Sequence, residues 1–139
     1  MDILDKIPKE FFRVEYNYDS YPGNADKFQD GANCQHFIYE VLRLFDYKIE
    51  DLRSSELMED TVSTKLVEEM IPLDIVLLHS KEESYGAHVG LCISEKQEIL
   101  HLSKSNNIPK IEFINVLMEN PKYKYLIGIK RLIRKKSHL

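Results

Sequence analysis

No stretch of this 139-residue chain is apolar for long enough to span a membrane. Its first residues, Met1-Asp2-Ile3-Leu4-Asp5-Lys6, lack the basic region and following apolar run of a secretory leader, so a cytoplasmic setting is expected. Cysteine is scarce. The two cysteines lie in unlike surroundings, which does not read as a disulfide framework and fits free thiols in a reducing compartment. Positive charge is not in excess: 19 Lys and Arg against 23 Asp and Glu give a net charge of −4, which argues against general nucleic-acid affinity. Internal repeats, low-complexity segments, linkers and phosphate-binding glycine loops are all missing. What remains is the composition of a single globular domain, residues 1–139, long enough to bury a core.

One stretch organises the rest: Asp30-Gly31-Ala32-Asn33-Cys34-Gln35-His36-Phe37-Ile38-Tyr39-Glu40-Val41-Leu42. A loop rich in Gly, Asn and Asp runs into a cysteine. Behind it, Phe37, Ile38, Val41, Leu42, Leu44 and Phe45 are spaced to cover one face of a helix reaching about Tyr47. Asn33 is a suitable N-cap, which puts Cys34 in the first turn. There the backbone N–H groups and the positive end of the helix dipole favour a thiolate, the reactive form. A small buried apolar residue is the plain alternative.

A nucleophilic cysteine needs a base, and the base needs an orienting partner. Ala87 to Ser94 alternates as a strand, with His88, Gly90 and Cys92 on one face and Val89, Leu91 and Ile93 on the other. Glu98 to Ser103 is a second short strand, and Ser94 to Gln97 is a fitting hairpin turn. Antiparallel pairing would bring His88 and His101 together, one imidazole taking the thiol proton and the other holding its tautomer.

Cys34 at a helix start, Pro72-Leu73-Asp74-Ile75-Val76-Leu77-Leu78, His88-Val89-Gly90 and Ile99-Leu100-His101 together resemble the NlpC family of papain-like cysteine hydrolases, over roughly residues 16 to 133. The resemblance implies an α+β, papain-like fold: N-terminal helices, with the nucleophile helix packed on an antiparallel β-sheet. It implies Cys34 as nucleophile, His88 as base and His101 as orienting residue, cleaving an amide of a cell-wall-type peptide through a thioester. It also implies a tyrosine ahead of the cysteine that supports the oxyanion. Tyr21 is the best placed, with Tyr16 and Tyr18 competing. Asn33, Gln35 and His36 stand where the family has Asp, Ser and Gly beside its substrate, so Asn33 and Gln35 are the candidate substrate contacts and the usual γ-glutamyl substrate is in question. Asn33-Cys34-Gln35-His36-Phe37 is also similar to the motif of lecithin-retinol-acyltransferase-like enzymes. Those carry their histidines before the cysteine, which leaves a thioesterase or acyltransferase as the alternative. A binding module that has kept the fold without the chemistry is the third reading.

The remaining chain supplies the frame. Ile3, Leu4, Ile7, Phe11 and Phe12 form a helical face interrupted by Pro8. Residues 15–32 read as loop, and Ser54 to Leu57 and Ser63 to Met70 as short helices. Leu73 to His79 reads as a buried central strand whose one charge, Asp74, is structural. Lys110 to Phe113 and Tyr125 to Ile133 complete the strands, with a short helix over Asn115 to Glu119. Cys92 is expected to be an inert core thiol. Cys34, His36, His88 and His101 are zinc-ligand types, but none of their spacings is familiar, so no metal and no cofactor is expected. The expected partner is a small peptide or acyl substrate, the expected state a monomer, and the basic tail Arg134 to Leu139 a solvated end.

Overall fold

In a computed structural model of the chain, residues 2–20 and 31–133 are described. The N-terminal apolar face forms two short 3₁₀ turns, Ile3–Lys6 and Lys9–Arg13, separated at Pro8, rather than one helix. Proline closes the second turn's start because it has no N–H to donate. Helix α1 runs over Cys34–Arg43 and α2 over Ser54–Glu59. Strand β1 is Thr64–Val67, β2 Ile75–His79, β3 His88–Cys92, β4 Glu98–His101 and β5 Lys110–Phe113. A short helix α3, Ile114–Leu117, precedes strand β6, Tyr125–Leu132. The six strands form one antiparallel sheet in the order β1-β6-β2-β3-β4-β5. The fold is α+β.

Residues 64–67 were expected to be helical and are a strand. Two local facts explain the difference. The Asp60 carboxylate accepts the backbone N–H groups of Val62, Ser63 and Thr64 and the Thr64 hydroxyl, which turns the chain away from α2. β-branched Thr64 and Val67 then pair with Leu132 and Ile129 at the sheet edge. Sheet pairing outweighs a weak helical pattern there. α1 also stops four residues short of the expected Tyr47, and Asp46 adopts a positive φ of 66° just after it.

The sheet has an apolar core on each face. On one, Phe37, Ile38, Val41 and Leu42 of α1 lie against Ile75, Leu77, Val89, Leu91 and Leu100. Each such side chain contributes roughly 1.5–3 kcal/mol on full burial. On the other face, Val76, Leu78, Cys92 and Ile99 pack with Leu117 and Tyr123. Cys92 is fully buried, and its thiol donates to the Ser94 carbonyl at 3.2 Å, in keeping with an inert core role. Among the described residues no helix is long and apolar enough to cross a membrane.

Asp74 is held as a structural ion. Its two carboxylate oxygens accept Arg131 Nε and Nη2, each at 2.9 Å, and one also accepts the Ile71 N–H at 2.9 Å. The carboxylate is 1% exposed and its partner 29%. Asp74→Ala therefore leaves Arg131 Nε and the Ile71 N–H without their acceptor, with Arg131 Nη2 keeping only the Glu69 carbonyl, and should cost about 3 kcal/mol of stability. Urea unfolding of the two proteins checks this, and a loss below about 0.5 kcal/mol would contradict the assignment.

Candidate active site

The nucleophile helix starts where the sequence places it. Asn33 is extended, at φ −82° and ψ 179°, and its Oδ1 accepts the His36 N–H at 2.9 Å. The segment before it is stitched to the N-terminal arm. Ala32 donates to the Glu15 carbonyl, Asn17 donates to the Ala32 carbonyl, and Tyr16 donates to Asn107. Gly31, at φ 120°, lets these strands close, since a Cβ there would lie 2.8 Å from the Asn17 Cβ.

Cys34 lines an open cleft of about 280 Å³. Asn33, Gln35, Tyr16 and Tyr18 line it together with Arg53, Ser54 and Ser55 at the start of α2 and Tyr85-Gly86-Ala87 before β3. The start of α2 and the loop before β3 are tied together, because Gly86 donates its N–H to the Ser54 hydroxyl at 3.1 Å. α2 is anchored from its far end. The buried Lys130 ammonium donates to the carbonyls of Met58 and Asp60 at 3.1 and 2.7 Å, where the helix's orphan acceptors need a cation.

The thiol is not a resting thiolate. Burial pushes its pKa up. The backbone N–H groups of Val89, Gln35 and Cys34 and the Arg53 guanidinium pull the other way without prevailing. The expected N–H groups are in place, but desolvation outweighs them. The Val89 N–H belongs to the residue after His88, so the sulfur rests against the strand that carries the histidine.

His88 and His101 meet directly. His88 Nε2 lies 3.0 Å from His101 Nδ1, with the rings edge to face at 84°. Gly90 makes room for this. A Cβ there would come within 2.6 Å of Ile99 and 3.5 Å of the His101 Cβ. His101 is fully buried, and its Nε2 lies 2.8 Å from Glu112 Oε2. Tyr123 stacks on His88 with ring centres 4.6 Å apart. Burial first, then the neighbouring His101, drives the His88 pKa down to about 3. Burial also lowers that of His101, against an opposing pull from Glu112.

Among the described residues, then, the structure joins His88 to His101 and sets Cys34 beside Val89, without a hydrogen bond between the thiol and His88. Asn33 and Gln35 both border the cleft, but the Asn33 oxygen caps the helix and the Gln35 amide donates to the Leu52 carbonyl at 3.1 Å. His36 faces inward to Ser20 and Glu40. Tyr21 lies outside the described residues. Tyr16 borders the cleft, and its hydroxyl pKa is raised by burial and then by the Cys34 charge, which puts it within electrostatic reach of the sulfur. Glu112, Tyr123 and Arg53 are absent from the sequence reading. Alternation along Lys110–Phe113 puts Glu112 on one strand face, but only the register Ile99↔Glu112 and His101↔Lys110 brings it to the imidazole. No tight-turn signature between β4 and β5 announces that register.

The depressed His88 pKa has a consequence for stability. The unfolded chain takes up a proton on this residue below about pH 6.5, and the folded chain refuses it until about pH 3. Stability should fall as pH drops through that window, and His88→Ala should flatten the fall. Urea unfolding at pH 7 and pH 5 measures both slopes, and equal slopes would contradict the buried neutral imidazole.

No protein-family model matches the sequence, and no curated protein matches it. Among solved structures, the crystal structure of the NlpC/p60 domain of peptidoglycan hydrolase SagA is similar. The two align with a TM-score of 0.59 over 95% of this chain and 97% of that one, at 12% identity. That likeness establishes the architecture: the chain has an α+β fold of the NlpC/p60 kind, seen at a distance in sequence.

Proposed function

We propose that this protein is a cysteine hydrolase that cleaves an amide bond through a thioester on Cys34, with His88 as the base and His101 orienting it. The observation that carries the reading is the 3.0 Å contact between His88 and His101, on the strand whose next residue, Val89, neighbours a thiol that lines a cleft from a helix N-terminus. The similar fold of a peptidoglycan hydrolase domain makes a small cell-wall-type peptide the first substrate to try.

The chemistry starts from two neutral groups. When a carbonyl carbon approaches, the thiol proton passes to His88 and the sulfur–carbon bond forms. The Cys34 N–H and the Tyr16 hydroxyl stabilise the oxyanion. The imidazolium then protonates the leaving nitrogen as the carbon–nitrogen bond breaks. Water attacks the thioester, His88 takes its proton, and that proton returns to the sulfur as the acid departs.

Cys34→Ala should abolish hydrolysis of an activated amide or ester, by about a thousandfold or more, with the circular dichroism spectrum unchanged. Tyr16→Phe should lower kcat about tenfold or more. Mass spectrometry of a stalled reaction should find the acyl group on Cys34. A Cys34→Ala protein that keeps activity ends the reading. An acyl-Cys34 formed from a lipid ester but never from a peptide moves it to an acyltransferase. The kcat profile should hold down to about pH 5, because the His88 pKa lies far below that of an ordinary imidazole.

A further inference from the structure

We propose that Glu112 is a positioning residue that sets the tautomers of both site histidines, leaving His88 Nδ1 as the bare nitrogen that accepts the Cys34 proton. The inference rests on the catalytic reading above and adds a fourth member to it.

The argument follows the hydrogens. An ionised carboxylate can only accept, so the 2.8 Å contact from Glu112 Oε2 requires a proton on His101 Nε2. A neutral imidazole carries one ring proton, and burial keeps His101 neutral, so its Nδ1 is an acceptor. The 3.0 Å contact between that Nδ1 and His88 Nε2 then requires the proton on His88 Nε2. His88 is neutral as well, so its Nδ1 is bare. Nδ1 is the ring nitrogen nearer the main chain, and the next residue along that chain, Val89, is the one whose N–H acts on the Cys34 sulfur. The other arrangement, with a proton on His101 Nδ1, would put one on His88 Nδ1 and leave no base facing the thiol.

The surroundings fit this order. The other Glu112 oxygen lies 3.6 Å from Lys110 Nζ, longer than the bond to His101, and Lys110 is largely exposed. The Tyr123 ring covers both imidazoles, at 4.6 and 6.1 Å between centres, and its hydroxyl stays protonated because burial raises its pKa. When the thiol proton reaches His88 Nδ1, the cation is shared along Nε2–H to His101, and Nε2–H of His101 to the carboxylate. One proton moves, from sulfur to nitrogen, and the two ring hydrogens behind it stay where they are.

Long-range ¹⁵N–¹H NMR of histidine-labelled protein reads the tautomers directly and needs no turnover. In the unmodified chain both His88 and His101 should carry their proton on Nε2. Glu112 lies on an edge strand and is partly exposed, so its replacement should leave the fold intact. In Glu112→Ala, His101 should move wholly or partly to the Nδ1–H form, with kcat at least tenfold lower and KM within twofold. Glu112→Gln, whose carbonyl oxygen still accepts, should restore most of both signals. An Nδ1–H form of either histidine in the unmodified protein overturns the proposal, as do Glu112→Ala tautomers that match the parent. If the tautomers behave as stated and no Cys34-dependent turnover of any substrate is found, the catalytic reading fails while the positioning role of Glu112 stands.

Discussion

The packing of α1 against β3 is the contact on which the site depends. Phe37, Ile38, Val41 and Leu42 bury their side chains on Val89, Leu91 and their neighbours, and this fixes both the height and the rotation of the helix. Asn33 ends the helix one residue ahead of Cys34, so the sulfur lands on the Val89 N–H. A shift of the helix by a single residue would turn Cys34 about 100° away from the strand.

The two histidines come from the other side. His88, Gly90 and Cys92 share a face by alternation, and Gly90 faces Val76, Ile99 and His101, the face of the second core. Val89, which neighbours the thiol, and His88 thus point to opposite faces of one sheet, and His88 is the first residue of β3. Cys34 and His88 are both half-buried, and desolvation favours the neutral form of each. The cleft at Cys34 is open, whereas the His101 imidazole is fully buried and Tyr123 packs on both rings.

Much of this was legible in the sequence, and the misses share a cause. Strong local signals came through: the N-cap and apolar stripe around Cys34, the alternation at His88, the continuous apolar run of β2, and Asp74 as a structural ion. The β1 strand was missed because its identity comes from pairing with β6, a segment more than sixty residues later. At the N-terminus the interruption at Pro8 was visible, and what the apolar spacing did not show is that the segments on either side are 3₁₀ turns. At the site, the helix-start argument captured the N–H groups on the sulfur but not the desolvation that outweighs them, which exists only once the chain is packed. Glu112 is one of many acidic residues in the chain, and only the β4–β5 register distinguishes it.

The arrangement of α2 has one more consequence. Part of the cleft lining is built on Arg53, Ser54 and Ser55 and the Gly86 loop, anchored by Lys130 and by the Ser54 hydroxyl. That loop also leads straight into β3, since Gly86 and Ala87 are followed directly by His88. A change of conformation at the cleft wall therefore reaches the imidazole through two residues of chain.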